Sequence, residues 1–193
     1  MNKPLSELTD EQVVAASLER REAFGVLVNR YQERLTRYLR RLGVSRSEDV
    51  EDVLQDVFLK AYRNLNDFDQ ELRFSSWIYR IAHNTAMSFF RAKRVRPEGM
   101  LVDDGEELLS QVKSDLNIET EAERAFDAEL LRAALDTLDA KYRDVLVLRY
   151  FEQREYAEIS DILRIPEGTV ATLIHRAKKK LASALEKISP KPV

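Results

Sequence analysis

From Val50 to Leu65 the apolar side chains recur every three or four residues without a miss: Val50, Val53, Leu54, Val57, Phe58, Ala61, Tyr62 and Leu65. That spacing draws one stripe along a helix of 3.6 residues per turn, whereas on a strand it would scatter over both faces. Such a stripe needs a second apolar surface to cover it. Arg73 to Arg96 supplies one, because Phe74, Trp77, Ile78, Ile81, Ala82, Ala86 and Phe89 keep the same spacing. One continuous amphipathic helix is predicted there, with Arg80, Asn84, Met87, Arg91 and Arg94 stepping along its other side. A solvated face with a basic last turn explains that polar stripe, and so does contact with an anionic ligand.

The flanking segments follow the same rule. A short helix is expected from about Asp10 to Leu18 with Thr9 as its N-cap. A longer one runs from Ala23 to Leu42, packing Phe24, Leu27, Val28, Tyr31, Leu35, Tyr38, Leu39 and Leu42 and stopping at Gly43. The helix through Val50 begins at Ser45 and Glu48 in capping-box spacing, or with Ser47 as N-cap. Glu48, Asp49, Glu51, Asp52 and Asp56 crowd its first turns, where acids suit the helix dipole and also suit a basic partner. Gln55 and Leu59 add a mixed polar and apolar flank. In the loop Asn66–Leu72, Phe68 either caps the core or walls a small pocket beside the next helix.

After Arg96-Pro97 the periodicity breaks. A flexible acidic linker is expected there, with at most a turn of helix at Leu108–Val112. The net charge of −3 hides a division: residues 1–96 hold 17 Lys+Arg against 14 Asp+Glu, residues 97–127 hold 2 against 10, and residues 128–193 hold 12 against 10. Nonspecific DNA affinity grows with the phosphates neutralised, so this balance predicts weak duplex binding by the chain alone and a partner that adds basic surface. An acidic segment between two weakly basic ones could also compete with DNA electrostatically when the protein is free.

Helical spacing returns from about Thr120 with Ala125, Phe126, Leu130, Leu131, Ala134, Leu135 and Leu138. Further helices are expected at about Ala140–Phe151, Glu155–Leu163 and Glu167–Lys187. Between the last two lies only Arg164-Ile165-Pro166, a tight corner with Pro166 pre-set for a helix start. Ile159, Ile162, Ile165, Val170 and Ile174 form the wedge that a helix-turn-helix buries. Thr169, Thr172, His175, Arg176 and Lys179 then face outward, a set able to reach base edges and phosphates. Helical corners of this kind also occur in proteins that never meet DNA.

The fold class expected is therefore all-α: two small helical domains, residues 1–96 and 123–193, joined by a flexible acidic linker at 97–122, the second with a helix-turn-helix. Charged content of 34% with only five Gly and five Pro suits a soluble helical protein. No run of about 18 apolar residues is present and the first residues lack a secretory apolar segment, so no membrane insertion and a cytoplasmic location are expected. The chain has no Cys and two distant His, His83 and His175. Disulfides, a thiolate nucleophile and a metal site are set aside, no cofactor is expected, and no Gly-rich phosphate loop or catalytic spacing supports an enzyme.

Two blocks resemble a known family. EDVLQDVFLKAYRNLNDF followed by FSSWIYRIAHNTAMSFFRAKR is similar to the second region of bacterial sigma-70-type factors of the extracytoplasmic-function (ECF) group, and LDTLDAKYRDVLVLRYFEQREYAEISDILRIPEGTVATLIHRAKKKL resembles their fourth. The resemblance implies a sigma factor that binds core RNA polymerase, at the β′ clamp helices and the β flap, and directs promoter recognition and transcription initiation. It assigns Asp52, Gln55, Asp56 and Leu59 to the clamp-helix surface. It matches Asn84 to a pocket for a flipped −10 base and Phe68 to the loop that closes it. Arg80, Arg91, Lys93 and Arg94 would follow the strand, and Trp77 stays mainly in the core. The −35 element falls to Thr169, Thr172, His175, Arg176, Lys178 and Lys179. Family members commonly carry cations where this chain has Ala171 and Leu173, which predicts weaker −35 contact. An anti-sigma partner is implied by the family alone. Two further readings remain: a sigma-like decoy that binds an anti-sigma partner without promoter DNA, and a stand-alone helix-turn-helix repressor.

Overall fold

The computed structural model describes residues 4–69, 72–93 and 128–188, and the chain divides into two compact units, one mainly of the helices before residue 94 and one mainly of those after residue 127. All regular structure among the described residues is helical. The expected linker, the turn at Leu108–Val112 and Arg94 lie outside the described residues.

The first unit opens with a 3-10 turn at Leu5–Glu7 and helix α1, Asp10–Glu19. The Thr9 cap is present as a capping box, with the Gln12 backbone N–H donating to the Thr9 hydroxyl and the Thr9 N–H to Gln12 Oε1. Helix α2 runs Phe24–Arg41. Leu27, Tyr31, Leu35, Tyr38 and Leu39 are buried along it while Gln32, Glu33 and Arg34 are exposed, the division that its periodicity requires. It stops because Gly43 adopts a φ of 103°, a conformation that glycine reaches without a Cβ clash.

Helix α3, Ser47–Arg63, packs along helix α4, Phe74–Lys93. Neither Ser45 nor Ser47 caps α3: Arg46 holds the N-cap position with no side-chain bond, and Glu48 and Asp49 supply the favourable charge in the first turn instead. Val50, Val53, Val57 and Ala61 are buried. Tyr62, expected in the core, is 37% exposed, with its ring edge on Phe24 at 5.2 Å. The buried arc of α4 is wider than the sequence stripe. Tyr79 and Phe90 are buried, whereas Ile81 and Phe89 are half-buried. Tyr79 pairs with Tyr38 of α2 at 4.9 Å and Phe74 with Tyr31 at 5.5 Å, so α4 has aromatic partners on α2 as well as its seam with α3. Each large apolar side chain fully buried here contributes about 1.5–3 kcal/mol relative to exposure.

The second unit contains α5 (Ala128–Asp136), α6 (Ala140–Leu146), α7 (Tyr156–Leu163) and α8 (Glu167–Ile188), with α5 and α6 packing on α8. The helix expected at Ala140–Phe151 is not one α-helix. It loosens after Leu146 into a π turn over Val147–Phe151, where the Glu152 N–H reaches the Val147 carbonyl. The wider turn keeps Val147, Leu148 and Tyr150 buried together. Glu155 caps α7 in a box with Glu158 rather than opening it.

Candidate functional site

Three surfaces carry the residues singled out from the sequence. On α4, Asn84 and Arg91 are exposed and Arg80 is half-buried one turn before Asn84. The Ser88 hydroxyl donates to the Asn84 carbonyl at 2.8 Å, and Arg91 Nη2 donates to that hydroxyl at 3.1 Å. The guanidinium is thereby folded back along the stripe. Among the described residues no group engages the Asn84 side-chain amide, which leaves donors and acceptor open to a ligand. The adjacent Thr85 is buried and receives a hydrogen bond from Lys60 Nζ at 3.2 Å. Asn84 thus stands on a helix anchored from behind.

Phe68 lies at 7% exposure, its ring 5.7 Å from Phe74 and 5.2 Å from Trp77. Of its two readings, burial favours core cap, with its loop, rather than its ring, at the surface. Trp77 is in the same cluster at 9% exposure. Lys93 is paired with Asp49 of α3 and its ammonium sits 4.9 Å from the Phe89 ring centre, so it is half committed to the helix seam.

The second surface is the α3 flank. Asp52, Gln55, Asp56 and Leu59 are all exposed, and Leu59 retains 43% of its surface. Tyr62, three residues beyond Leu59, falls on the same strip and extends its apolar half, a position that the spacing Gln55, Leu59, Tyr62 signals once the burial of Val57 and Ala61 is known.

The third surface is α8 above its corner. Arg164 closes α7 in the left-handed conformation, φ 54° and ψ 48°, and its N–H donates to the Ser160 carbonyl. The Ser160 hydroxyl donates to the Ile165 carbonyl at 2.6 Å, and the Pro166 carbonyl accepts from Thr169 and Val170 N–H groups. Ile159, Ile162, Val170 and Ile174 are buried and Ile165 is half-buried. Thr169, Thr172, His175, Arg176 and Lys179 are exposed, as a helix-turn-helix requires. The Thr172 hydroxyl donates to the Gly168 carbonyl at 2.9 Å, so it offers lone pairs to a ligand. Lys178 departs from the expectation: it is half-buried, about 100° round the helix from Lys179, with its ammonium 5.6 Å from the Tyr150 ring centre. Ala171 is exposed and Leu173 half-buried, so both positions lacking a cation border this face.

No described helix is long and apolar enough to cross a membrane.

The family model described as Sigma-70 region 2 matches residues 27–96, and that described as Sigma-70, region 4 matches residues 128–181. The chain is 35% identical over 187 residues to the ECF RNA polymerase sigma-E factor of Haemophilus influenzae, covering 93% of this chain and 97% of the relative. It is 32% identical to the ECF RNA polymerase sigma factor SigW of Bacillus subtilis, with 85% and 89% covered, and 32% identical to the sigma-E factor of Escherichia coli, with 94% and 97% covered. Among solved structures, CnrH in complex with the cytosolic domain of CnrY matches with a TM-score of 0.69 at 26% identity, over 93% of this chain and 99% of CnrH. The fold also matches the sigma factor RpoE of Bartonella quintana, solved with the anti-sigma factor NepR, at a TM-score of 0.57 and 21% identity over 83% of this chain and 96% of that one.

Proposed function

We infer that this chain, which belongs to the ECF group of the sigma-70 family, is a promoter-specificity subunit that binds core RNA polymerase and directs transcription initiation. The observation that carries this reading is the presence of both sigma regions, in order, within one chain aligned along 93% of its length with a sigma-E factor. The subunit makes and breaks no bonds itself and works in the cytoplasm, where polymerase and promoter DNA are.

In this reading the exposed strip Asp52, Gln55, Asp56 and Leu59, continued by Tyr62, docks on the β′ clamp helices, its acids meeting a basic partner and Leu59 supplying an apolar anchor. The second unit engages the β flap. Asn84 reads the Watson–Crick edge of a flipped −10 base, and its unengaged amide supports that role. The Phe68 loop borders the base, while Arg80, Arg91 and, to a lesser degree, Lys93 follow the strand; Arg94 continues the same stripe in sequence. Thr169, Thr172, His175, Arg176 and Lys179 face the −35 groove. Lys178, turned toward Tyr150, contributes less. An anti-sigma factor is a further proposed partner, of the kind with which the Bartonella RpoE was solved.

The test is transcription from a pooled promoter library by core polymerase with and without the chain. Discrete new start sites support the reading; none, with a known sigma factor active in parallel, overturns it. The decoy reading has the missing cations at Ala171 and Leu173 in its favour, and it predicts polymerase-independent capture of an anti-sigma factor with no start sites.

A further inference from the structure

We propose that the acidic segment Asp103–Glu107 of this chain seats in a lysine-lined groove of the second unit. The groove has a volume of about 570 Å³ and lies between the α5–α6 turn and the last turns of α8. Lys179, Lys180 and Lys187 line one side with Ser183 among them, Leu138 forms apolar floor, and Asp139 stands at the turn. Residues 179, 183 and 187 repeat every four positions and so share one face of α8. Lys180 is held at the wall by the Tyr142 ring, 5.1 Å from its ammonium. Among the described residues none of the three ammonium groups is ion-paired, so the groove carries three cations against one carboxylate.

The segment complements this in two ways. Asp103, Asp104, Glu106 and Glu107 place four carboxylates around Gly105, and Leu101-Val102 and Leu108-Leu109 flank them with apolar pairs that match Leu138, Ala184 and Ile188 in the groove. Residues 97–127 hold 10 acids against 2 bases, the strongest charge excess in the chain. The covalent connection reaches: the residues between Glu107 and Ala128, where α5 begins, span up to about 65 Å when extended. A ligand tethered in the same chain meets its site at an effective concentration on the order of millimolar, enough for a modest electrostatic contact. Seating the acids beside Lys179 sets them against DNA phosphate for that cation. Only this consequence rests on the promoter reading above.

The chain contains no cysteine, so an engineered pair reports the contact cleanly. In the full chain, Gly105→Cys with Ser183→Cys is compared with Gly105→Cys with Thr172→Cys, since Thr172 is exposed on α8 outside the groove. Under mild oxidation at low salt the first pair forms an intramolecular disulfide at least ten times faster than the second. That advantage disappears in 1 M salt, where the screening length is about 3 Å, and when Lys180→Gln and Lys187→Gln are added. Equal rates at low salt, or disulfides formed only between two chains, overturn the proposal. Because the assay contains neither polymerase nor DNA, failure here leaves the promoter reading standing, and absence of start sites leaves this contact untouched.

Discussion

The ring of Phe68 lies 5.2 Å from that of Trp77 at an interplanar angle of 59°, and both touch Phe74. The loop before α4 is therefore pinned by the same aromatic cluster that seats the helix. Phe68→Ala is expected to lower the unfolding free energy by about 3–4 kcal/mol, the range for removing a buried aromatic ring. Phe68→Leu keeps most of the volume and costs about 1.5 kcal/mol or less. Denaturant titration of the full chain separates these outcomes, and a loss under about 1 kcal/mol for the alanine variant contradicts the core placement.

Asn84 is exposed and its amide has no partner among the described residues. Replacing it by Ala should change stability by no more than about 0.5 kcal/mol. Promoter opening should fall at least about tenfold, corresponding to about 1.4 kcal/mol, with polymerase binding unchanged. Fluorescence from a base analogue in the −10 strand reads the opening, and an unaltered signal removes Asn84 from the proposed pocket.

Leu59 already meets water, so Leu59→Arg should leave the thermal transition within about 2 °C. Its effect belongs to docking: core polymerase affinity is expected to drop by about tenfold or more, because the strip would lose its apolar anchor and the new cation would offset one of its two carboxylates, Asp52 and Asp56. Titration of labelled chain with core polymerase measures this. Tyr62→Ala should act in the same direction, with a small added stability cost from the Phe24 contact.

Ala171 is exposed beside the outward face of α8. Ala171→Arg should add one phosphate contact, steepening the dependence of log affinity on log salt by about 0.9 for duplex DNA. Leu173→Arg gains the same contact but also exposes a half-buried position, so its melting temperature should fall where that of Ala171→Arg does not. Binding isotherms at several salt concentrations decide whether this face meets the duplex.

Arg164 holds φ 54° at the corner of the helix-turn-helix. Arg164→Gly releases the side-chain clash of that conformation and should be neutral or stabilising by up to about 1 kcal/mol. Arg164→Val, branched at Cβ, should destabilise by about 1–2 kcal/mol. Parallel thermal melts give the sign.

Period was the legible part of this fold. The cap of α1, the stop at Gly43 and the corner at Arg164-Ile165-Pro166 all follow from local chemistry, and the structure contains them. What the pattern could not give was the breadth of each buried arc. Tyr79 and Phe90 are buried because α4 meets more than one neighbour, and Tyr62 is exposed because α3 offers more apolar arc than is covered. The π turn after Leu146 also escapes a reading tuned to 3.6 residues per turn. At the candidate surfaces, exposure of Asn84, Leu59 and the α8 face matches the sequence reading. The fates of Lys93 and Lys178 were not legible, since a long cation can turn to a neighbouring aromatic ring that only the folded chain reveals.

Arg30 of α2 closes the N-terminal segment into a clasp. One of its nitrogens donates to Asp10 at 2.7 Å, and another donates to the carbonyls of Ser6 and Leu8 at 2.9 and 2.8 Å, while Glu11 accepts from the Phe74 backbone N–H. The region 2 match begins at residue 27, inside α2 and past every one of those acceptors. A fragment cut at that boundary would strip the guanidinium of its acceptors and leave the start of α4 without its carboxylate partner. The smallest piece worth expressing as an autonomous folding unit therefore starts well upstream of where sequence similarity does.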